Sequence, residues 1–136
     1  MSTCSSSAAE AELLTGKSKP EEAAELLLQE YPLSLIAVTC GNKGAFIRTQ
    51  KVKADVKAIP AKTVDTTGAG DAFWAAFLSR YLKSGLQCSE ITTADAAGFA
   101  SFAAAAASLC VEARGAIPAM PYLKDVERRL GKRSRL

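Results

Sequence analysis

The stretch VDTTGAGDAFW, Val64 to Trp74, sets Asp65 and Asp71 six positions apart with nothing larger than threonine between them, then resumes with bulky apolar residues. Gly68 and Gly70 free the backbone for conformations closed to other residues. A helix starting directly behind them aims its unpaired N–H groups and the positive end of its dipole into the same space. Such a turn binds anions. With Asp71 at its mouth, the turn suits phosphoryl transfer from a nucleotide to a hydroxyl: the turn amides hold the charge developing on the phosphoryl group while the carboxylate accepts the hydroxyl proton. The helix end favours ionised Asp71, which is therefore a weak base in the ground state and helps chiefly as the hydroxyl turns acidic during transfer. The same residues also read as a plain glycine turn with an aspartate helix cap.

Two neighbouring patterns do not bind phosphate by their spacing. Gly68 and Gly70 begin a G-x-G-x-x-G whose third glycine position holds Phe73, which argues against a Rossmann dinucleotide site. LLTGKS ends like a P-loop, but the first glycine would fall on Ala11 and no apolar strand precedes it, so Gly16-Lys17-Ser18 reads as a helix stop and restart.

The elements that must position Asp71 follow from periodicity. Ser18-Lys19-Pro20-Glu21 has the form of a capping box, ahead of an amphipathic helix with Ala24, Leu27, Leu28 and Tyr31 on one face. LSLIAVTC reads as a buried strand ending at Thr39, Gly41 to Gly44 as a turn, AFIRT as a second strand, and residues 51 to 64 as a hairpin or edge. A helix is expected from about Asp71 to Lys83, with Phe73, Ala76, Phe77 and Tyr81 inward and Gly85 as its stop. An alanine-rich helix from about Ala94 to Leu109 must be packed on most sides, and a last one runs from Tyr122 to about Leu130. Residues 1–8 read as a ragged end, and 131–136 as a basic tail. Buried strands between helices make an α/β layered domain.

Composition narrows the chemistry. The 136 residues suffice for one domain with a real core, and no uninterrupted apolar run reaches the length of a membrane span. With no histidine and no C-x-x-C pair among four scattered cysteines, the usual zinc ligand sets and histidine-based triads drop out, and the cysteines are expected as reduced thiols. The net charge of +3 sits in the tail: six basic residues against two acids from Lys124 onward leave the remainder at about −1, without a nucleic-acid face. No nucleic acid and no membrane are expected as partners.

DTTGAGDAF resembles the second signature of the ribokinase-type sugar kinases, the PfkB carbohydrate kinase family. Three further stretches agree in order: AEAELLTG resembles that family's N-x-x-E-x-E-x-L-T-G, VTCGNKGAF its V-T-x-G-x-x-G-A, and ARGAIPAMPYLKDV its closing G-A-x-x-x-x-P. PYLKDV looks more like ribokinases, GAIPAMP more like fructokinases. The resemblance implies the C-terminal portion of a three-layer α/β/α fold, over residues 9–130, as the ATP-binding and catalytic part of a kinase that uses ATP, Mg2+ and K+ to phosphorylate a small sugar, D-ribose first and fructose as the alternative.

Carried onto this sequence, the resemblance makes Asp71 the catalytic base and Gly68, Ala69 and Gly70 the anion hole. It places the nucleotide on Ser7, Thr39, Cys40, Gly41, Asn42, Lys43, Gly44, Gly70, Asp71 and Ala104. Asp65, Thr67, Cys110, Ala113, Gly115 and Ala119 would form a monovalent-cation loop, and Glu10 would place magnesium through water. Ser7 stands where the family has asparagine, Ala104 where a polar residue often meets the base, and Ala119 where many ribokinases have serine.

Only about the second half of the family is resembled. The N-terminal G-G motif, the sugar-contacting segments and the lid have no counterpart, so the chain is expected to be a truncated fragment with little or no sugar kinase activity alone. A non-catalytic nucleotide-binding module and an interaction protein using the alanine-rich helix are the competing readings, and the full-length parent would be a homodimer. The location expected is cytoplasmic, or peroxisomal or glycosomal, because Ser134-Arg135-Leu136 resembles a peroxisomal address.

Overall fold

The computed structural model describes residues 3–59, 68–111 and 128–129. Strand β1 (Thr3–Ser7) leads into helix α1 (Ala8–Thr15), and α2 (Pro20–Glu30) follows. Strands β2 (Leu35–Thr39), β3 (Ala45–Thr49) and β4 (Lys53–Val56) come next, then helices α3 (Ala69–Ser84) and α4 (Thr93–Val111). The sheet order is β1-β2-β3-β4, with β1 parallel to β2 and the other pairs antiparallel.

Alternation along the strands builds the layers. Ile36, Val38 and Phe46 face Ala11, Ala23, Ala24, Leu27 and Leu28 of α1 and α2. Leu35, Ala37, Ala45, Ile47, Ala54 and Val56 face Phe73, Phe77 and Tyr81 of α3 and Ala96, Ala100, Ala103 and Ala104 of α4. The expected α/β/α sandwich is therefore present, with helices on both faces of the sheet. Phe77 fixes α3 against α4, its ring edge-on to Phe99 at 5.8 Å and stacked with Trp74 at 5.7 Å, contacts worth about 0.5–1.5 kcal/mol each beyond burial.

Several sequence expectations need correction. Residues 3–7 are not a ragged end but strand β1, paired from Thr3↔Leu35 to Ser7↔Thr39; the backbone ladder to a buried neighbour outweighs the low strand propensity of serine. The box at Ser18 does not form: Pro20 takes the first helical position, so Lys19 becomes the cap and offers no side-chain bond. Tyr31 lies beyond the end of α2 and is 49% exposed rather than on its buried face. Helix α3 begins at Ala69, two residues before Asp71.

Helix α4 is long and apolar enough by composition to cross a membrane, with Thr93–Cys110 at a mean hydropathy of 1.2, but half of that window is buried inside the protein, where α4 packs on α3 and β4. Of the expected last helix, Arg128 and Arg129 are described and helical, and Arg129 donates to the Ser108 hydroxyl at 3.3 Å.

Candidate active site at the strand ends

The site is built where β1 and β2 end. Gly68 caps α3 with φ 80, a left-handed conformation that glycine adopts without cost. The first α-helical bond runs from Ala72 N to Gly68 O at 2.8 Å, which leaves the amides of Ala69, Gly70 and Asp71 without partners inside the helix. Asp71 stands in that first turn with its side chain exposed. The opening is slim: a Cβ built on Gly70 would have Thr39 Oγ1 as its near neighbour, at 3.8 Å. Thr39 in turn makes a long hydrogen bond, 3.4 Å, to the Ser6 carbonyl of β1.

A groove of about 550 Å3 opens beside it, lined among others by Ser7, Thr39, Cys40, Gly41, Lys43 and Asp55, a size suited to a small-molecule ligand. Strand alternation sorts the two features. Thr39 continues the row of Leu35 and Ala37 towards α3, whereas Cys40 continues the row of Ile36 and Val38 towards α1 and α2. The helix amides and the groove thus lie on opposite faces of the sheet and meet at Thr39. Anion stabilisation belongs at the amides, because unpaired N–H groups and a helix dipole converge there; the groove has room for the rest of a bound molecule.

Gly44 closes the turn beside the groove without lining it. Its φ is 103, and a Cβ there would lie 1.9 Å from the Val56 carbonyl oxygen, so the β2–β3 turn can sit on β4 only with glycine. At the other rim, Ser7 and Glu10 cap α1 reciprocally: the Ser7 hydroxyl accepts from Glu10 N, and Glu10 Oε1 accepts from Ser7 N, each at 3.1 Å. The Ser7 backbone N–H, then its side chain, hold the Glu10 carboxyl below the ordinary value of 4.5. Glu10 Oε1 is thus engaged in the cap, and no group of three His, Cys, Asp or Glu side chains able to hold a metal occurs among the described residues. The Cys40 thiol is pushed up, first by burial and then by Asp55, with Lys43 opposing.

Of the residues singled out by sequence, the structure brings Ser7, Thr39, Cys40, Gly41 and Lys43 to the groove and Gly68, Ala69, Gly70 and Asp71 to the helix start. Asn42 belongs to the 3-10 turn Gly41–Lys43. Ala104 is in neither place: it is buried in the core on α4. Cys110 is fully buried against Ala72 of the first turn of α3, and all four cysteines are thiols. Asp65, Thr67, Ala113, Gly115, Ala119 and the Ser134-Arg135-Leu136 tail lie outside the described residues. Asp55 was missed; its only signal was the alternation of ADV, which shows that it points away from the α3 side but not what it faces.

Known proteins share the fold and much of the sequence. The pfkB family of carbohydrate kinases matches residues 4–123. The chain belongs to that family. Among its pfkB relatives, the probable fructokinase-5 of Arabidopsis thaliana is 38% identical over 111 residues, 81% of this chain and 33% of that protein. The ribokinase of the same plant is 43% identical over 95 residues, 67% of this chain and 22% of the relative. The crystal structure of Vibrio cholerae O395 fructokinase with fructose, ADP and calcium superposes with a TM-score of 0.81 at 28% identity, over 94% of this chain and 40% of that one. The chain spans about a third of the length of the curated fructokinase it matches.

Proposed function

We propose that this chain is the nucleotide-binding and catalytic part of an ATP-dependent sugar kinase, which moves the γ-phosphoryl of Mg-ATP to a hydroxyl of D-ribose. The observation that carries the reading is the start of α3: an exposed Asp71 in the same turn as three amides without helical partners, with Gly70 facing Thr39 across a narrow gap.

In this reading the amides of Ala69, Gly70 and Asp71 stabilise the charge that builds on the transferring phosphoryl group, and Asp71 takes the proton of the attacking hydroxyl. Ser7, Thr39 and the turn from Cys40 to Gly44 hold the remaining phosphates and the nucleoside. Glu10, acting through water, would help to hold magnesium, which would supply neutralisation of the phosphate charge. The potassium loop of Asp65, Thr67, Cys110, Ala113, Gly115 and Ala119 is supported by one contact: Cys110 packs on Ala72, so an ion held beside it would act on the first turn of α3. Residues outside this chain would supply the sugar side.

Fructose is the second acceptor, favoured by the match to a fructokinase relative over 81% of the chain and by the wording of GAIPAMP. The test has two stages. Calorimetric titration of the folded chain with Mg-ATP, with and without potassium, should show binding; a folded chain that takes no nucleotide overturns the reading. In a polypeptide that adds the sugar-binding portion, Asp71→Asn should lower kcat by about 10²–10⁴-fold while Mg-ATP affinity stays within about threefold. Retained turnover would remove Asp71 from its role, and the ratio of kcat/KM for ribose and fructose decides the acceptor.

A further inference from the structure

We propose that Asp55 anchors the ribose of the bound nucleotide, its carboxylate accepting hydrogen bonds from the 2′- and 3′-hydroxyls, so that the site selects ribonucleoside over 2′-deoxyribonucleoside triphosphates. This rests on the reading of the site as an ATP site and adds a residue to it.

The placement comes from register. Thr39 pairs with Ala45, Ala45 with Val56, and Phe46 with Asp55, so Asp55 stands beside the strand ends two strands away from β2. Two strand spacings, about 10 Å, therefore separate the strand of Asp55 from that of Thr39, where the groove meets the α3 side. Ala54 and Val56 turn into the α3–α4 core, which sends the intervening Asp55 to the groove side, next to Phe46 and Lys43.

Chemistry then sorts the groove. A carboxylate is an acceptor only, with two oxygens that match the two donors of a vicinal diol, and it repels phosphate. Lys43, with donors only, suits the phosphates. Both charges reach the groove interior, since the Cys40 thiol feels the negative charge of Asp55 and the opposing charge of Lys43. Glu21, the groove's other carboxylate, sits in the first turn of α2, where it serves the helix dipole. The competing account of Asp55 is a solvated charge that protects an edge strand from pairing with another chain.

The experiment is competitive binding of ATP, 2′-deoxy-ATP and 3′-deoxy-ATP, with Mg2+, to the whole chain and to Asp55→Asn and Asp55→Ala. ATP should bind about tenfold more tightly than either deoxy analogue. Both variants should lose about that factor for ATP and little for the deoxy forms, so that the preference collapses. Equal binding of all three nucleotides by the parent chain overturns the proposal, and so does a preference that survives in both variants. ATP binding with no ribose preference leaves the kinase reading standing and removes Asp55. A folded chain that binds no nucleotide at all overturns the kinase reading and this proposal with it.

Discussion

Gly70 of α3 and Thr39 of β2 face each other so closely that a methyl group on Gly70 would meet the Thr39 hydroxyl oxygen at 3.8 Å, an ordinary van der Waals contact. A single added carbon therefore fits without displacing Thr39. Gly70→Ala should fold and gain up to about 1 kcal/mol from helix propensity, seen as an equal or higher thermal midpoint. Gly70→Leu should keep its helical circular dichroism but lose about tenfold or more in Mg-ATP affinity, because the larger side chain covers the amides. Parent-like affinity in the leucine variant would show that phosphate does not use this gap.

Glycine is required unequally in the β2–β3 turn. Gly44→Ala drives a Cβ to within 1.9 Å of the Val56 carbonyl oxygen at a φ of 103, so about 3 kcal/mol or more of stability should be lost. Gly41, at φ 58 with open space around it, should lose only about 1 kcal/mol on the same substitution. Urea denaturation of the two variants gives the comparison; equal losses would contradict it.

The Ser7–Glu10 cap predicts an acid limb. Because the folded-state pKa of Glu10 is depressed below 4.5, its contribution is present above that value and is lost as pH falls through the lower folded value. Glu10→Gln keeps a box-forming side chain but cannot titrate, so the fall in stability just below pH 4.5 should flatten in that variant. Melting curves between about pH 3 and 6 measure it.

Tyr81 predicts an alkaline limb of opposite origin. Burial, then a hydrogen bond with Cys88 Sγ at 3.3 Å, push its hydroxyl from 10.0 up to about 12. The unfolded chain releases this proton first, so stability is whole below pH 10 and declines as pH rises towards about 12. Tyr81→Phe should remove that part of the decline, whatever it costs at neutral pH; an unchanged slope would refute the assignment.

How far the sequence could be read depended on what carried each signal. Strands β2 and β3 and helices α3 and α4 were visible because apolar runs and periodicity are local, and Gly68 and Gly70 marked the start of α3. Strand β1 was not visible: TCSSS carries no apolar pattern, and its pairing depends on β2, more than thirty residues away. Two segments have the S-x-x-E form, at Ser7 and at Ser18, and only the first closes, because Pro20 moves the start of α2 past Ser18. The site divided in the same way. Asp71 and the glycine turn were legible from adjacent residues, whereas Asp55 acquires a neighbourhood only when β4 is laid beside β3.

Thr39 and Cys40 are consecutive and both line the groove, yet only Thr39 also meets the start of α3, so the phase of strand pairing decides which side chain the helix receives. A slide of β2 by a single residue would exchange hydroxyl for sulfhydryl at the mouth of α3 and leave the chain about as compact as before. Lesions that loosen the β2–β3 hairpin should therefore silence the protein earlier than they unfold it.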